Sequence, residues 1–112
     1  MHEMSIVMSM IDLCEKHAKG REIKTVAVNI GKLSGIEPHF LSSTFEIFRE
    51  NSKVCKNAEL DMNIIDIKIL CLDCNKKYTI DNYNFYCPEC KGSNTKTVSG
   101  EEMHIDHIEL KD

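Results

Sequence analysis

Apolar residues recur at Met4, Val7, Met8, Ile11, Cys14 and Ala18, the spacing of one face of a helix, and Gly20 stands where that helix would stop. The period then changes to two. From Ile23 to Ile30, Val26, Val28 and Ile30 fall on one side and Thr25, Ala27 and Asn29 on the other, which predicts a half-buried strand followed by a turn at Gly31, Ser34 and Gly35. Pro38 suits the first turn of a second helix, since its ring presets φ and its missing N–H would have no partner there. Leu41, Thr44, Phe45 and Phe48 share that helix's face, and it should end near Asn51. Further on, Leu60, Met62 and Ile64 alternate, then Ile65, Ile67 and Ile69 alternate in the opposite phase, which predicts one strand with a bulge or twist where the phase flips. A last strand repeats the behaviour, with Met103 and Ile105 in one phase and Ile108 and Leu110 in the other.

Between these two strands the pattern gives way to cysteine. Cys14 and Cys55 stand alone, but Cys71, Cys74, Cys87 and Cys90 form two C-x-x-C pairs separated by Asn75 to Tyr86. Each such turn brings two sulfurs to one ion at about 2.3 Å, and the intervening loop lets the second pair complete the tetrahedron that Zn²⁺ accepts without electronic preference. Two disulfides or a redox dithiol are the other readings, and the doubled motif favours zinc. With four protein sulfurs and no open position, the ion is structural rather than catalytic. The fold class that follows is α+β: two helices packed on a three-stranded mixed sheet, with a zinc-ribbon module inserted before the last strand. The expected division is an α/β domain of residues 1–70 and 99–112 and a zinc-ribbon domain of residues 71–98.

Composition narrows the rest. A chain of 112 residues, 42% hydrophobic and 29% charged, fits one small domain with an appended module. No apolar run approaches the roughly 18 residues that cross a bilayer, and charged and polar residues interrupt the start where a secretion signal would be apolar. The expectation is a cytoplasmic protein with no membrane partner. Lys and Arg number 14 against 18 Asp and Glu, a formal charge of −4, which disfavours a general grip on phosphate backbones. Tyr78, Tyr83, Phe85 and Tyr86 have faces on which bases can stack. The module's Lys76, Lys77, Lys91 and Lys96 are nearly balanced, however, by Asp73, Asp81 and Glu89, so no nucleic-acid partner is expected.

The start of the chain carries a second constellation. The α-amine of Met1, the backbone nitrogen of His2 and the His2 imidazole can close two fused chelate rings on one ion, and a further donor from Glu3 can complete a square plane. Tetragonal nitrogen and oxygen donors suit Ni²⁺ or Cu²⁺. His2 is also too large to favour trimming of Met1, which keeps the amine in place. Taken alone, the bland reading is the commoner one: a solvated terminal histidine, and a Glu3 that complements the positive end of the first helix.

Met1-His2-Glu3-Met4-Ser5, then Ile30-Gly31-Lys32-Leu33-Ser34-Gly35-Ile36-Glu37-Pro38, then the paired C-x-x-C turns, in this order and at this total length, closely resemble the HypA/HybF family of nickel-insertion accessory proteins for [NiFe]-hydrogenase. The resemblance spans nearly the whole chain. It implies a metallochaperone, not an enzyme, in which Met1, His2 and Glu3 hold Ni(II) for transfer and Cys71, Cys74, Cys87 and Cys90 hold Zn(II). The partners it implies are a GTPase accessory protein, HypB, and the hydrogenase large-subunit precursor, with urease maturation proteins as further clients. A zinc-ribbon adaptor or nucleic-acid-binding protein without a nickel site is the competing reading. Glu37 is a further candidate ligand if the two helix starts lie side by side, and otherwise a carboxylate that offsets a helix dipole.

Several residues are weaker leads. His104 and His107 spell H-x-x-H, but on a regular strand positions three apart face opposite sides, so they are ordinary strand residues unless the phase change there is a bulge. Cys14 and His17 lie three apart on the first helix, where Cys14 reads as a small buried hydrophobe and His17 as a late-turn residue favoured by the dipole. Cys55 has no evident partner, and the methionines fall at core spacing. No phosphate loop, nucleophile elbow or H-E-x-x-H is present.

Overall fold

Two three-stranded sheets, each with its own apolar cluster, make up the fold. The structure is a computed structural model and describes residues 3–80 and 84–112. In chain order the elements are α1 (Glu3–Ala18), β1 (Ile23–Gly31), α2 (Pro38–Phe48) with a 3-10 turn at Arg49–Asn51, β2 (Glu59–Ile65), β3 (Ile67–Cys71), β4 (Lys77–Ile80), β5 (Thr95–Ser99) and β6 (Met103–Leu110).

The first sheet has the order β2-β1-β6, with β1 parallel to β2 and antiparallel to β6. This is the mixed sheet expected, because the crossover through α2 must return parallel while β6 comes back from the far end. Val26, Val28 and Ile30 of β1 are buried against Val7, Met10, Ile11 and Cys14 of α1 and Leu41 and Phe45 of α2. The opposite face is polar: Asn63 Nδ2 donates to Asn29 Oδ1 at 3.1 Å, and Asn29 Nδ2 lies 3.3 Å from His104 Nε2. On α1 the buried stripe runs through Met10, while Met4 and Met8, expected on it, are exposed. At about 100° per residue, a face centred on Val7 and Cys14 takes in Met10 between them and turns Met8 outward. The helix ends where Lys19 and Gly20 take positive φ of 52° and 86°.

The single bulged strand expected across Leu60 to Ile69 is two strands that part at Asp66. β2 stays in the first sheet, and β3 starts the second, of order β4-β3-β5 and antiparallel throughout. The flip of phase marks this change of sheet: Ile67 and Ile69 are buried with Ile80 in the second cluster, away from the helices. β4 and β5, rich in Lys and Thr, carried too little apolar alternation to be expected. In β6 the phase change is a bulge. Ala27 pairs with His107 and Val28 with Ile105, which leaves Asp106 as the extra residue.

Backbone joins the two sheets. Gly31 N–H donates to Glu102 C=O at 2.7 Å, Leu33 N–H to Gly100 C=O at 2.6 Å, and Lys32 N–H to Ile65 C=O at 3.0 Å. Lys32 Nζ also meets Asp66 Oδ1 at 2.7 Å, and the Leu33 side chain packs into the second cluster. A Cβ on Gly31 would stand 2.0 Å from the Gly100 carbonyl oxygen, so only glycine fits there. Gly31→Ala is expected to lower stability by about 1–3 kcal/mol through displaced backbone. The check is chemical denaturation, in which an unchanged midpoint would show that the segments at Gly31 and Gly100 do not approach this closely.

Candidate metal centre

Each C-x-x-C segment folds into the same knuckle. Asn75 N–H donates to Cys71 C=O at 2.8 Å, and Lys91 N–H to Cys87 C=O at 2.8 Å. One residue later the chain closes back, with Cys71 N–H to Lys76 C=O at 2.9 Å and Cys87 N–H to Gly92 C=O at 3.0 Å. Asn75 and Lys91 both take φ of 59°, the left-handed turn that swings the chain away after the second cysteine of each pair. These turns aim both cysteines of a pair inward.

The two knuckles face each other. Sγ of Cys71 lies 3.5 Å from Sγ of Cys90, Sγ of Cys74 lies 3.6 Å from Sγ of Cys87, and all four sulfurs are within 4.8 Å of one another. A tetrahedron with Zn–S bonds of about 2.3 Å has edges of about 3.8 Å, so the four sulfurs fit a zinc ion with little movement. Among the described residues no other group of three or more His, Cys, Asp and Glu side chains meets this closely.

Local dipoles favour the thiolate state at one corner. Burial pushes the Cys87 thiol up, but N–H groups of Cys90 and Glu89 and the neighbouring thiols outweigh it and bring it to about 6. At Cys90 the Gly92 N–H acts downward, while the Cys71 and Cys87 sulfurs push the group up to about 12. Four sulfurs this close cannot all ionise without a cation between them.

Residues inside the knuckles tie the two halves together, a role their charge alone did not announce. Tyr78 O–H donates to Glu89 at 2.6 Å and Lys76 Nζ reaches the same carboxylate at 3.2 Å, joining β4 to the second knuckle. The Glu89 carboxyl is held below its ordinary value by Tyr78 first and then Lys76. Asn94 Nδ2 donates to Asp73 of the first knuckle at 3.2 Å, and Thr95 Oγ1 to Phe85 C=O at 2.7 Å. Of the aromatic residues considered for stacking on bases, Tyr78 and Phe85 pack against the second cluster and Tyr86 is exposed, while Tyr83, like Asp81, lies outside the described residues.

Met1 and His2 also lie outside the described residues. Glu3, the third residue of that segment, is buried in the first turn of α1, and the backbone N–H of Glu37 lies within reach of its carboxylate. The starts of the two helices are thus neighbours. Glu37 is the N-cap of α2, its carboxylate accepting from His39 N–H at 3.2 Å and Phe40 N–H at 2.9 Å. His104 and His107, brought to one exposed face by the bulge at Asp106, have separate partners: His104 meets Asn29, and His107 meets Asp106 at 2.7 Å and Glu109 at 3.4 Å. Cys14 is buried as expected. Its partner is Cys55, and the hydrogen bond between the two thiols, then burial, pushes Cys14 up. Their positions in α1 and in the loop before β2 are too far apart in sequence for spacing to reveal the pair.

A mixed α/β sheet bearing a four-cysteine ribbon is the architecture of a small protein with a candidate metal site among the four sulfurs. Residues 1–110 match the family described as hydrogenase/urease nickel incorporation, metallochaperone, HypA. The hydrogenase maturation factor HypA of Campylobacter jejuni is 40% identical over 114 residues, covering 99% of this chain and 100% of that protein, and that of Aquifex aeolicus is 42% identical, covering 99% and 98%. The solution structure of the Ni metallochaperone HypA from Helicobacter pylori aligns with a TM-score of 0.71 at 37% identity, covering 98% of this chain and 97% of that one. A second solution structure of a HypA protein aligns at 0.76 with 36% identity, covering 99% and 97%. This chain belongs to the HypA family.

Cys87→Ser is expected to abolish zinc binding and to strip hydrogen-exchange protection from β3, β4 and β5 while β1 amides keep theirs, since binding worth about 10 kcal/mol or more holds such modules folded. Retention of zinc by this variant would contradict the four-sulfur site.

Proposed function

We propose that this chain is a cytoplasmic nickel metallochaperone that receives Ni(II) at Met1, His2 and Glu3 and passes it on during maturation of [NiFe]-hydrogenase. The GTPase HypB and the hydrogenase large-subunit precursor are its partners in this reading, with urease maturation proteins as further clients. Cys71, Cys74, Cys87 and Cys90 hold Zn(II), which supplies rigidity to the ribbon and takes no part in transfer. The protein performs no catalysis.

One observation carries the reading: the match to a nickel-incorporation family runs from residue 1 to residue 110, through the terminal Met-His-Glu segment and both knuckles. Physics supports the division of labour. Zinc with four protein sulfurs has no free coordination position and leaves slowly, whereas an ion held by a chain terminus can be released by moving a few residues. Glu3, set in the first turn of α1, anchors that terminus to a fixed element. Glu37 is the candidate additional ligand, and its oxygens already cap α2.

The experiment is Ni(II) titration calorimetry on the full chain at pH 7.5 and pH 6. Imidazole and α-amine donors, with reference pKa values of about 6.5 and about 7.7–8.0, must shed protons to bind, so affinity is expected to fall on acidification. His2→Ala should remove the Ni(II) isotherm while one Zn(II) per chain remains. Glu37→Gln should weaken Ni(II) binding if its carboxylate is a ligand, and should only lower the melting temperature if it is a cap. Equal affinity at both pH values, or full affinity in His2→Ala, would overturn the terminal site.

A further inference from the structure

The bulge in β6 changes what its two histidines can do. His104 pairs with Asn29, His107 with Ala27 and Glu109 with Thr25, and these partners alternate along β1, so His104, His107 and Glu109 are successive positions of the exposed face. Such neighbours stand about 6.5–7 Å apart at the backbone, the separation of an H-x-H pair on a regular strand. Asp106, the extra residue of the bulge, is exposed among them. Across the three strands the rows of this face read Glu59–Thr25–Glu109, Asp61–Ala27–His107 and Asn63–Asn29–His104. They hold carboxylates and imidazoles and no Lys or Arg, so the field above the face favours a cation.

Two donor atoms there already stand as the ligands of one ion would. His107 Nδ1 lies 2.7 Å from Asp106 Oδ2, and Nε2 of the same ring lies 3.4 Å from Glu109 Oε2. In the neutral ring Nδ1–H donates to Asp106, which leaves the Nε2 lone pair facing a carboxylate oxygen, two acceptors with no proton between them. A cation resolves that meeting. With Zn–N and Zn–O bonds of about 2.0–2.1 Å, the edge of a zinc tetrahedron is about 3.4 Å, the separation found here. The Asp106 carboxylate behind the imidazole fixes the ring and raises its basicity, as such groups do for metal-bound histidines. His104 supplies a third donor. Its Nε2 is turned to Asn29 Nδ2 at 3.3 Å, an exposed contact, and the site closes when the ring leaves Asn29 and swings toward His107, a rotation that exposed side chains make freely.

We propose that His104, His107 and Glu109 form a second zinc site, on the exposed face of the first sheet, with Asp106 as the positioning residue that orients His107. Three protein donors leave one corner of the tetrahedron to water, so this ion exchanges, unlike one enclosed by four sulfurs. Donors that rise from one side of a sheet gather at the corners of a tetrahedron rather than in a square plane, so the site favours Zn(II) over Ni(II) and Cu(II). The sheet beneath is held by its apolar core and folds without the ion. This inference stands independently of the nickel reading.

The test is Zn(II) titration calorimetry on the full chain carrying His2→Ala, its ribbon already loaded with zinc, so that the terminal histidine does not compete. One further Zn(II) per chain is expected to bind below about 100 μM free metal. His104→Ala, His107→Ala and Glu109→Gln, each added singly, should weaken this second site at least about tenfold, and Asp106→Ala should weaken it about 10–100-fold. Because these side chains are exposed, each variant keeps the fold, which its amide NMR spectrum verifies. Before zinc is added, imidazole ¹⁵N shifts at about pH 8 should show neutral His107 with its proton on Nδ1, a preference that Asp106→Ala removes. No further zinc bound at about 100 μM, or a second site undiminished by any of the three ligand substitutions, would overturn the proposal. Undiminished affinity or an unchanged tautomer in Asp106→Ala would overturn the positioning role of Asp106.

Discussion

Four sulfurs within 4.8 Å of one another are the constraint on which the far end of this molecule depends. Among the described residues the second cluster buries Ile67, Ile69 and Ile80, with Leu33, Tyr78 and Phe85 packed against them, too little apolar surface to order three strands and two knuckles. Thiolates at that distance repel, so the same geometry that fails without a cation becomes the strongest bond in the module once one is present. The Tyr78–Glu89, Lys76–Glu89 and Asn94–Asp73 contacts are exposed and weak singly; they orient the knuckles that a bound ion would hold together.

The first sheet is built on the opposite principle. It buries Val26, Val28, Ile30, Leu41 and Phe45 beneath two helices and needs no ion. The join between the two is backbone, at Gly31 and Gly100, where a side chain would collide. That gives the Ile30 to Pro38 segment a physical meaning. Gly31 permits the approach, Lys32 pairs with Asp66, Leu33 enters the second cluster, and Glu37 caps the helix beside the start of α1. One short run of residues thus links the ribbon, the sheet and the neighbourhood of Glu3.

Periodicity made the first sheet and both helices legible, because each buries one side against a single core. It erred where the core changed: the phase flip after Ile65 reads as a bulge in one strand, while it is the boundary between two sheets. The same signal in β6 is a true bulge, and a sequence pattern of period two cannot tell these apart. The knuckles were legible because zinc requires thiols at fixed spacing. The roles of Asp73 and Glu89 were not, since a charge that ties two loops together looks, in one dimension, like any solvated charge. Cys14 and Cys55 escaped for a related reason, their contact being purely tertiary.

In the proposed nickel site the α-amine of Met1 and the backbone nitrogen of His2 are donors that no side-chain substitution removes, and the α-amine can be blocked chemically. The decisive measurement is Ni(II) binding to full-length, zinc-loaded protein whose terminal amine has been acetylated, with its modification confirmed by mass. The account predicts that Ni(II) binding is lost while one Zn(II) per chain is retained; undiminished Ni(II) binding by the acetylated chain would contradict it.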